Sequence, residues 1–169
     1  MLEILLVLLP FLLFFLFKLI RSEAIFIPLP KRTIEQMLEL TNIKKNDILY
    51  DLGCGDGRVL IFAAKKYGIK TVGIEKNPLL FWLSERNIRK NKLKNKIQLI
   101  KNDFFKEDLS KATVVLVYLS QKTNDRLKPK LEKELKRGTK IVSADHVFKG
   151  WKEIKRIKTG HFYSHLYKI

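Results

Sequence analysis

Between an apolar run and a helical stretch the chain reads Asp51-Leu52-Gly53-Cys54-Gly55-Asp56-Gly57, an acid followed by glycines at three alternate positions. Glycine permits a sharp turn and a close approach where a Cβ would collide, and the helix that follows offers N–H groups with a positive dipole end. Such a loop receives a ligand against its backbone. Two further acids, Glu75 and Asp103, end or follow the next two β-type runs. An ionised carboxylate has two acceptor oxygens, so Glu75 can take both hydroxyls of a ribose. A dinucleotide fingerprint needs glycine or alanine at the last position of G-x-G-x-x-G, which here is Arg58. A P-loop ends in Gly-Lys-Ser/Thr, which is absent. NAD binding and nucleotide triphosphate hydrolysis are both disfavoured.

The elements that must position these residues alternate. Short β-type runs at 48–52, 71–74, 97–101, 114–119 and 140–143 are separated by helical stretches at 58–66, 79–90 and 124–136. Ahead of them, Thr33 and Gln36 form a capping-box pattern, and Ile34, Met37 and Leu38 fall on one face, which predicts a short helix. Pro129 is expected to kink or restart the last helix and Gly138 to end it. Runs at 153–157 and 162–168, joined through Thr159-Gly160-His161, predict a terminal β-hairpin. The pattern is that of an α/β fold with a parallel sheet and helices on both faces. It places Asp51, Glu75 and Asp103 at the carboxyl edge, where open α/β sheets bind ligands.

Composition sets the surroundings. The 169 residues suffice for one domain beside a short appendage, and 46% of them are apolar, with 17 of the first 20 positions among these. The net charge is +17, and since Glu3 and Lys18 cancel, all of it sits beyond that first segment. Such a domain favours polyanions or an anionic membrane surface. The only cysteine, Cys54, excludes an intrachain disulfide and a Cys-rich zinc site and fits a reducing compartment. Residues 1–20 read as a membrane span, since about 20 apolar residues cross a hydrocarbon core of roughly 30 Å. A cleaved signal peptide would start positive, whereas Lys18, Arg21, Lys31 and Arg32 follow the run. The positive-inside preference then holds the remainder on the cytoplasmic side. Residues 21–30, with Pro28 and Pro30, form a connector that cannot continue the helix, and the domain proper is expected over 31–169.

At the acid, the G-x-G-x-G loop and the acid ending strand two, the chain resembles the class I S-adenosylmethionine-dependent methyltransferases. The resemblance covers about residues 31–169 and implies a Rossmann-like, mostly parallel seven-stranded sheet with a C-terminal hairpin. It implies S-adenosylmethionine as cofactor, with Gly53, Gly55 and Gly57 passing under its methionine part and Asp51 helping to hold the amino group. Glu75 would bind the ribose, Asn77 would belong to the same site, and Asp103 with Phe104 would border the adenine. Within that class the chain is most similar to the small membrane-anchored protein-lysine methyltransferases related to those that modify the adenine nucleotide translocase and the c-ring protein of ATP synthase. The shared features are the N-terminal span, Phe26-Ile27-Pro28, Gly55-Asp56-Gly57-Arg58, Asn77-Pro78, Tyr118-Leu119 and Ile141-Val142-Ser143. A lysine-bearing membrane protein as substrate and a monomeric enzyme follow as expectations. Asp145-His146 falls outside the motifs that carry the resemblance.

Methyl transfer to an amine depends on in-line positioning and needs no metal. A lysine with a reference pKa of about 10.4 must first lose a proton, which an apolar aromatic pocket favours. Tyr118 reads equally as a wall of that pocket, with Phe104 and Trp151 behind it, or as a core aromatic at a strand end. His146 reads as a base or, more simply, a turn histidine; Cys54 as a small residue between glycines rather than a nucleophile. Asp56 and Arg58 either pair to orient the loop or cap the helix. The rival class is a nucleic-acid methyltransferase, motivated by the charge. Against it, Tyr118-Leu119-Ser120-Gln121 lacks the Asn/Asp-Pro-Pro-aromatic sequence of exocyclic base-amine methyltransferases. A lipid or small-molecule amine as acceptor, and a non-catalytic S-adenosylmethionine-binding protein, are weaker alternatives.

Overall fold

Alternation of apolar side chains along the strands decides the layers. In β1 (Ile48–Leu52) Leu49 points to one face, while Tyr50 and Leu52 point to the other. β4 (Val114–Val117) splits likewise, Val114 and Leu116 against Val115 and Val117. Period-two side chains on a sheet covered on both sides require helices on both faces. The computed structural model describes Leu9, Pro10 and residues 26–169. The span expected over 1–20 therefore lies, those two residues apart, outside the described residues. Among the described residues no helix is long and apolar enough to cross a membrane.

One face is covered by α1 (Lys31–Leu40) and α2 (Arg58–Tyr67), through Ile34, Met37, Leu38, Val59 and Ala63. The other is covered by α4 (Gln121–Glu134), whose Leu127 and Leu131 meet Phe148 and Tyr167. β2 (Lys70–Ile74), α3 (Pro78–Lys90), β3 (Ile97–Ile100), β5 (Lys140–Ala144), β6 (Lys155–Thr159) and β7 (Phe162–Lys168) complete a single seven-stranded sheet in the order β3-β2-β1-β4-β5-β7-β6. β1 to β5 run parallel and β7 is antiparallel to both neighbours, so the expected sheet and terminal hairpin are present. Strand order reverses between β1 and β4, the switch point at which such sheets bind ligands. Register brings the strand ends level: Leu52 pairs with Ile74 and with Val117. Gly53, Glu75 and Tyr118 consequently leave the sheet side by side.

Several local expectations are corrected. α1 follows Pro30 with no side-chain cap, so the capping box does not form. Thr33 is buried in the helix, and Gln36 instead accepts a hydrogen bond from the Thr159 hydroxyl of the hairpin. α4 starts three residues earlier than expected because Ser120 accepts from the Thr123 N–H at 3.3 Å. It runs through Pro129 without restarting and ends at Glu134, before Gly138, which lies in the following turn with φ +96°. Pro129 is exposed, so water can serve the carbonyl its ring leaves without a donor. Pro129→Ala should therefore stabilise the fold by roughly 1 to 3 kcal/mol. Denaturant unfolding of the full chain reads this, and an unchanged midpoint would contradict it.

Candidate active site

Glu75 sets the shape of the glycine loop. Its Oε2 accepts the Gly55 N–H at 2.9 Å and its Oε1 accepts the Asn77 N–H at 2.8 Å, so one buried carboxylate joins the loop to the start of α3. Asn77 then caps α3, its Oδ1 accepting from Leu79 at 2.9 Å and Leu80 at 3.3 Å, with Pro78 at the first helical position. Gly55 has φ +57°, and a Cβ there would strike the ring of Phe26. At Gly57 a Cβ would collide with Ser84 of α3, so this glycine serves loop-to-helix packing.

Asp56 and Arg58 do pair, in a forked contact with Nε to Oδ1 at 2.9 Å and Nη2 to Oδ2 at 2.7 Å. Arg58 Nη1 also donates to the Leu29 carbonyl at 3.2 Å. The guanidinium thereby ties the glycine loop to the segment before α1. By sequence that segment is a mere connector, yet Phe26, Ile27, Pro28 and Leu29 line the main cavity. The signal is present in the sequence, since an apolar Phe-Ile-Pro-Leu stretch next to a charged domain needs something to cover.

The cavity holds about 540 Å³, within the range of small-molecule sites. Asp51, Gly53, Glu75 and Asn77 line one side, Phe104 another, and Tyr118, Leu119, Ser120 and His146 the rest. Asp103 accepts the Phe105 N–H at 3.0 Å and caps the 3-10 turn Phe104–Lys106, which presents Phe104 to the cavity. Trp151 is placed elsewhere, stacked on Phe148 at 4.6 Å, with its indole N–H donating to Glu132 at 2.6 Å. Cys54 packs against Gly73, and burial, then the charges of Asp51 and Glu75, push its thiol well above the ordinary range. It is no nucleophile.

Asp51 is the exception among these acids. It is 3% exposed, and its Oδ2 has no hydrogen-bond partner. Burial, then the charges of Glu75 and Asp56, push its carboxyl up to about 8. A buried acid beside two other carboxylates, with one oxygen unpartnered, is completed by a cationic donor. The α-ammonium of S-adenosylmethionine is such a group, and Glu75 keeps lone pairs for a ribose beyond the two N–H groups it already accepts. The residues present fit that cofactor.

Fold, switch-point cavity and carboxylate pattern together define a class I S-adenosylmethionine-dependent methyltransferase. The family model of the ANTKMT methyltransferase domain matches residues 51–155, and the chain belongs to that family. It is 42% identical over 139 residues to a protein-lysine N-methyltransferase of Saccharolobus islandicus (strain REY15A), covering 80% of this chain and 86% of that one. It is 29% identical to the human lysine N-methyltransferase of the ATP synthase c-ring protein, over 75% of this chain but only 53% of the relative. Among solved structures, an RNA methyltransferase of Salinibacter ruber in complex with S-adenosyl-L-homocysteine superposes with a TM-score of 0.83 at 35% identity, covering 85% of this chain and 94% of that one.

Asp51 also sets a pH dependence. Its carboxyl holds a proton in the folded chain up to pH about 8, whereas an unfolded aspartate loses it near pH 3.9. Between those values the unfolded state binds fewer protons, so this group makes folding less favourable as pH rises. Asp51→Asn should raise the ligand-free thermal midpoint at pH 7 relative to wild type and lose that advantage near pH 4. It should also remove most of the upward shift that S-adenosylmethionine gives the wild type. A variant that keeps the full ligand-induced shift would contradict the role assigned to Asp51.

Proposed function

We propose that this enzyme transfers a methyl group from S-adenosylmethionine to the side-chain nitrogen of a lysine in a membrane protein, held at the membrane by residues 1–20. The observation that carries the acceptor class is the continuity of the cavity from Asp51 and Glu75 to an aromatic end at Tyr118 and His146. Bound S-adenosylmethionine supplies an electrophilic methyl group; the chain's part is to present a neutral amine in line with it. Tyr118 is half-buried and meets Phe162 edge-on at 6.0 Å, so it serves wall and core at once. Burial, then the charge of Asp145 and a hydrogen bond to it, push the Tyr118 hydroxyl above its ordinary range. The phenol therefore stays protonated and acts as an orienting group rather than a base. Asp145 holds a left-handed backbone, φ +59°, and its Oδ1 accepts the Tyr163 N–H at 2.9 Å, which fixes the carboxylate behind Tyr118. A carboxylate there attracts an incoming ammonium, and the apolar wall favours its loss of a proton.

The names of the Saccharolobus and human relatives support lysine as acceptor. The Salinibacter neighbour, an RNA methyltransferase by name, and the +17 charge support the second reading, an RNA acceptor. Against that reading, Ser120 caps α4 and Gln121 donates to Asp125 and to the Val147 carbonyl, so the segment after β4 is committed to fixing a helix. The anchored, cytoplasmic-side placement rests on the apolar run and the charges that follow it.

Labelled methyl groups should enter lysines of membrane proteins, and the single-turnover rate on a lysine peptide should rise with pH between about 7 and 9. Tyr118→Phe should slow that turnover by roughly tenfold or more with S-adenosylmethionine affinity unchanged. Removing residues 1–20 should spare the peptide reaction and sharply lower modification of membrane-embedded targets. Label found only in RNA would overturn the acceptor assignment, and equal modification of embedded targets by the truncated chain would overturn the anchor's role.

A further inference from the structure

α3 presents an unusual outer face at the cavity mouth. Leu80 lines the cavity, while Leu79 and Trp82 stand 63% and 52% exposed. Three positions apart, they share one side of the helix. Ile27, from the segment that also lines the cavity, is 53% exposed. Large apolar side chains this open, gathered at one edge, mark an interaction surface. A basic rim surrounds them: the Arg86 guanidinium lies 5.9 Å from the centre of the Trp82 ring, and the Lys101 ammonium lies 6.0 Å from that of Phe81. Between 76 and 106 the chain carries nine basic residues and two acidic ones, Glu85 and Asp103. Glu85 is engaged by Arg89 at 3.6 Å, and Asp103 caps the turn after β3.

From this face we infer a docking site for an anionic phospholipid surface, with Trp82, Leu79 and Ile27 entering the headgroup layer and Arg86 and Lys101 meeting lipid phosphates. Tryptophan with its apolar body and polar N–H suits that depth, and long basic side chains reach outward from it. The chain's own geometry selects the same side. Described structure resumes at Phe26, so residues 21–25 alone join this face to the apolar segment, and five residues span at most about 18 Å. The inference rests on the membrane-anchored reading for this tether and adds to it an orientation: the cavity mouth faces the headgroups.

Trp82 itself reports the outcome, because the chain has only two tryptophans. The full chain, reconstituted in phosphatidylcholine vesicles with or without phosphatidylglycerol, is tested with bromine-labelled lipid and with an aqueous quencher, alongside Trp82→Phe. In anionic vesicles the bromolipid should quench wild-type emission, the quenching should fall in high salt, and it should vanish in Trp82→Phe. The double variant Arg86→Glu, Lys101→Glu should reduce it several-fold. If the chain floats with the vesicles yet Trp82 stays open to the aqueous quencher alone, the anchor stands and this docking face is overturned. A chain that floats with neither vesicle overturns the anchored reading and this inference with it. Shielding of Trp82 by single-stranded RNA but not by anionic vesicles would assign the face to nucleic acid and overturn the proposal.

Discussion

Three carboxylates crowd one end of the sheet in a protein that is otherwise strongly basic, and the site is organised around how each is satisfied. Glu75 is held by two backbone N–H groups and thereby fixes the glycine loop to α3. Asp56 is held by Arg58, which fixes the same loop to the segment ahead of α1. Asp51 is left with an unpartnered oxygen and a proton it would not keep in water. Like charges at short range cannot all ionise without a counter-charge. The arrangement is electrostatically incomplete until a cation arrives, which couples recognition of S-adenosylmethionine to the protonation of a single aspartate.

The same constraint explains why the acceptor end must be different in character. A second amine would compete for the carboxylates if they faced the whole cavity. Phe104, Leu119 and Tyr118 line the cavity beyond the carboxylate side, and the one acid near Tyr118, Asp145, lies behind its ring with its oxygen turned to the hairpin. The hairpin thus does more than close the sheet, since Tyr163 holds Asp145 and Phe162 holds Tyr118. Aromatic packing and a strained backbone at β5's end together set the acceptor wall.

Much of this is legible from residue order. Period-two strands, intervening helices, the terminal hairpin and the level of Asp51 and Glu75 all follow from patterns local enough to read along the chain. What escapes such reading depends on contacts between distant segments. By position Glu75 is a ligand acceptor alone, but its bond to Gly55 crosses twenty positions. The Arg58 contact with Leu29, and Phe26 seated on Gly55, turn an apparent connector into cavity wall, which spacing within either segment cannot disclose. The start of α1 misleads because Thr33 and Gln36 satisfy a local rule that burial and the hairpin override. Pro129 interrupts α4 less than its residue type suggests because its exposure, which softens the cost, is a tertiary property.

The incompleteness of the carboxylate cluster is tested most directly by counting protons. Calorimetric titration of the wild-type chain with S-adenosylmethionine at pH 7, repeated in buffers of different ionisation enthalpy, gives the number released on binding. With the Asp51 carboxyl at about 8 in the ligand-free protein and ionised beside a bound ammonium, close to one proton should leave per cofactor bound, and none in Asp51→Asn. Binding by the wild type without proton release would contradict the account, because Asp51 would then carry its charge before the cofactor arrives.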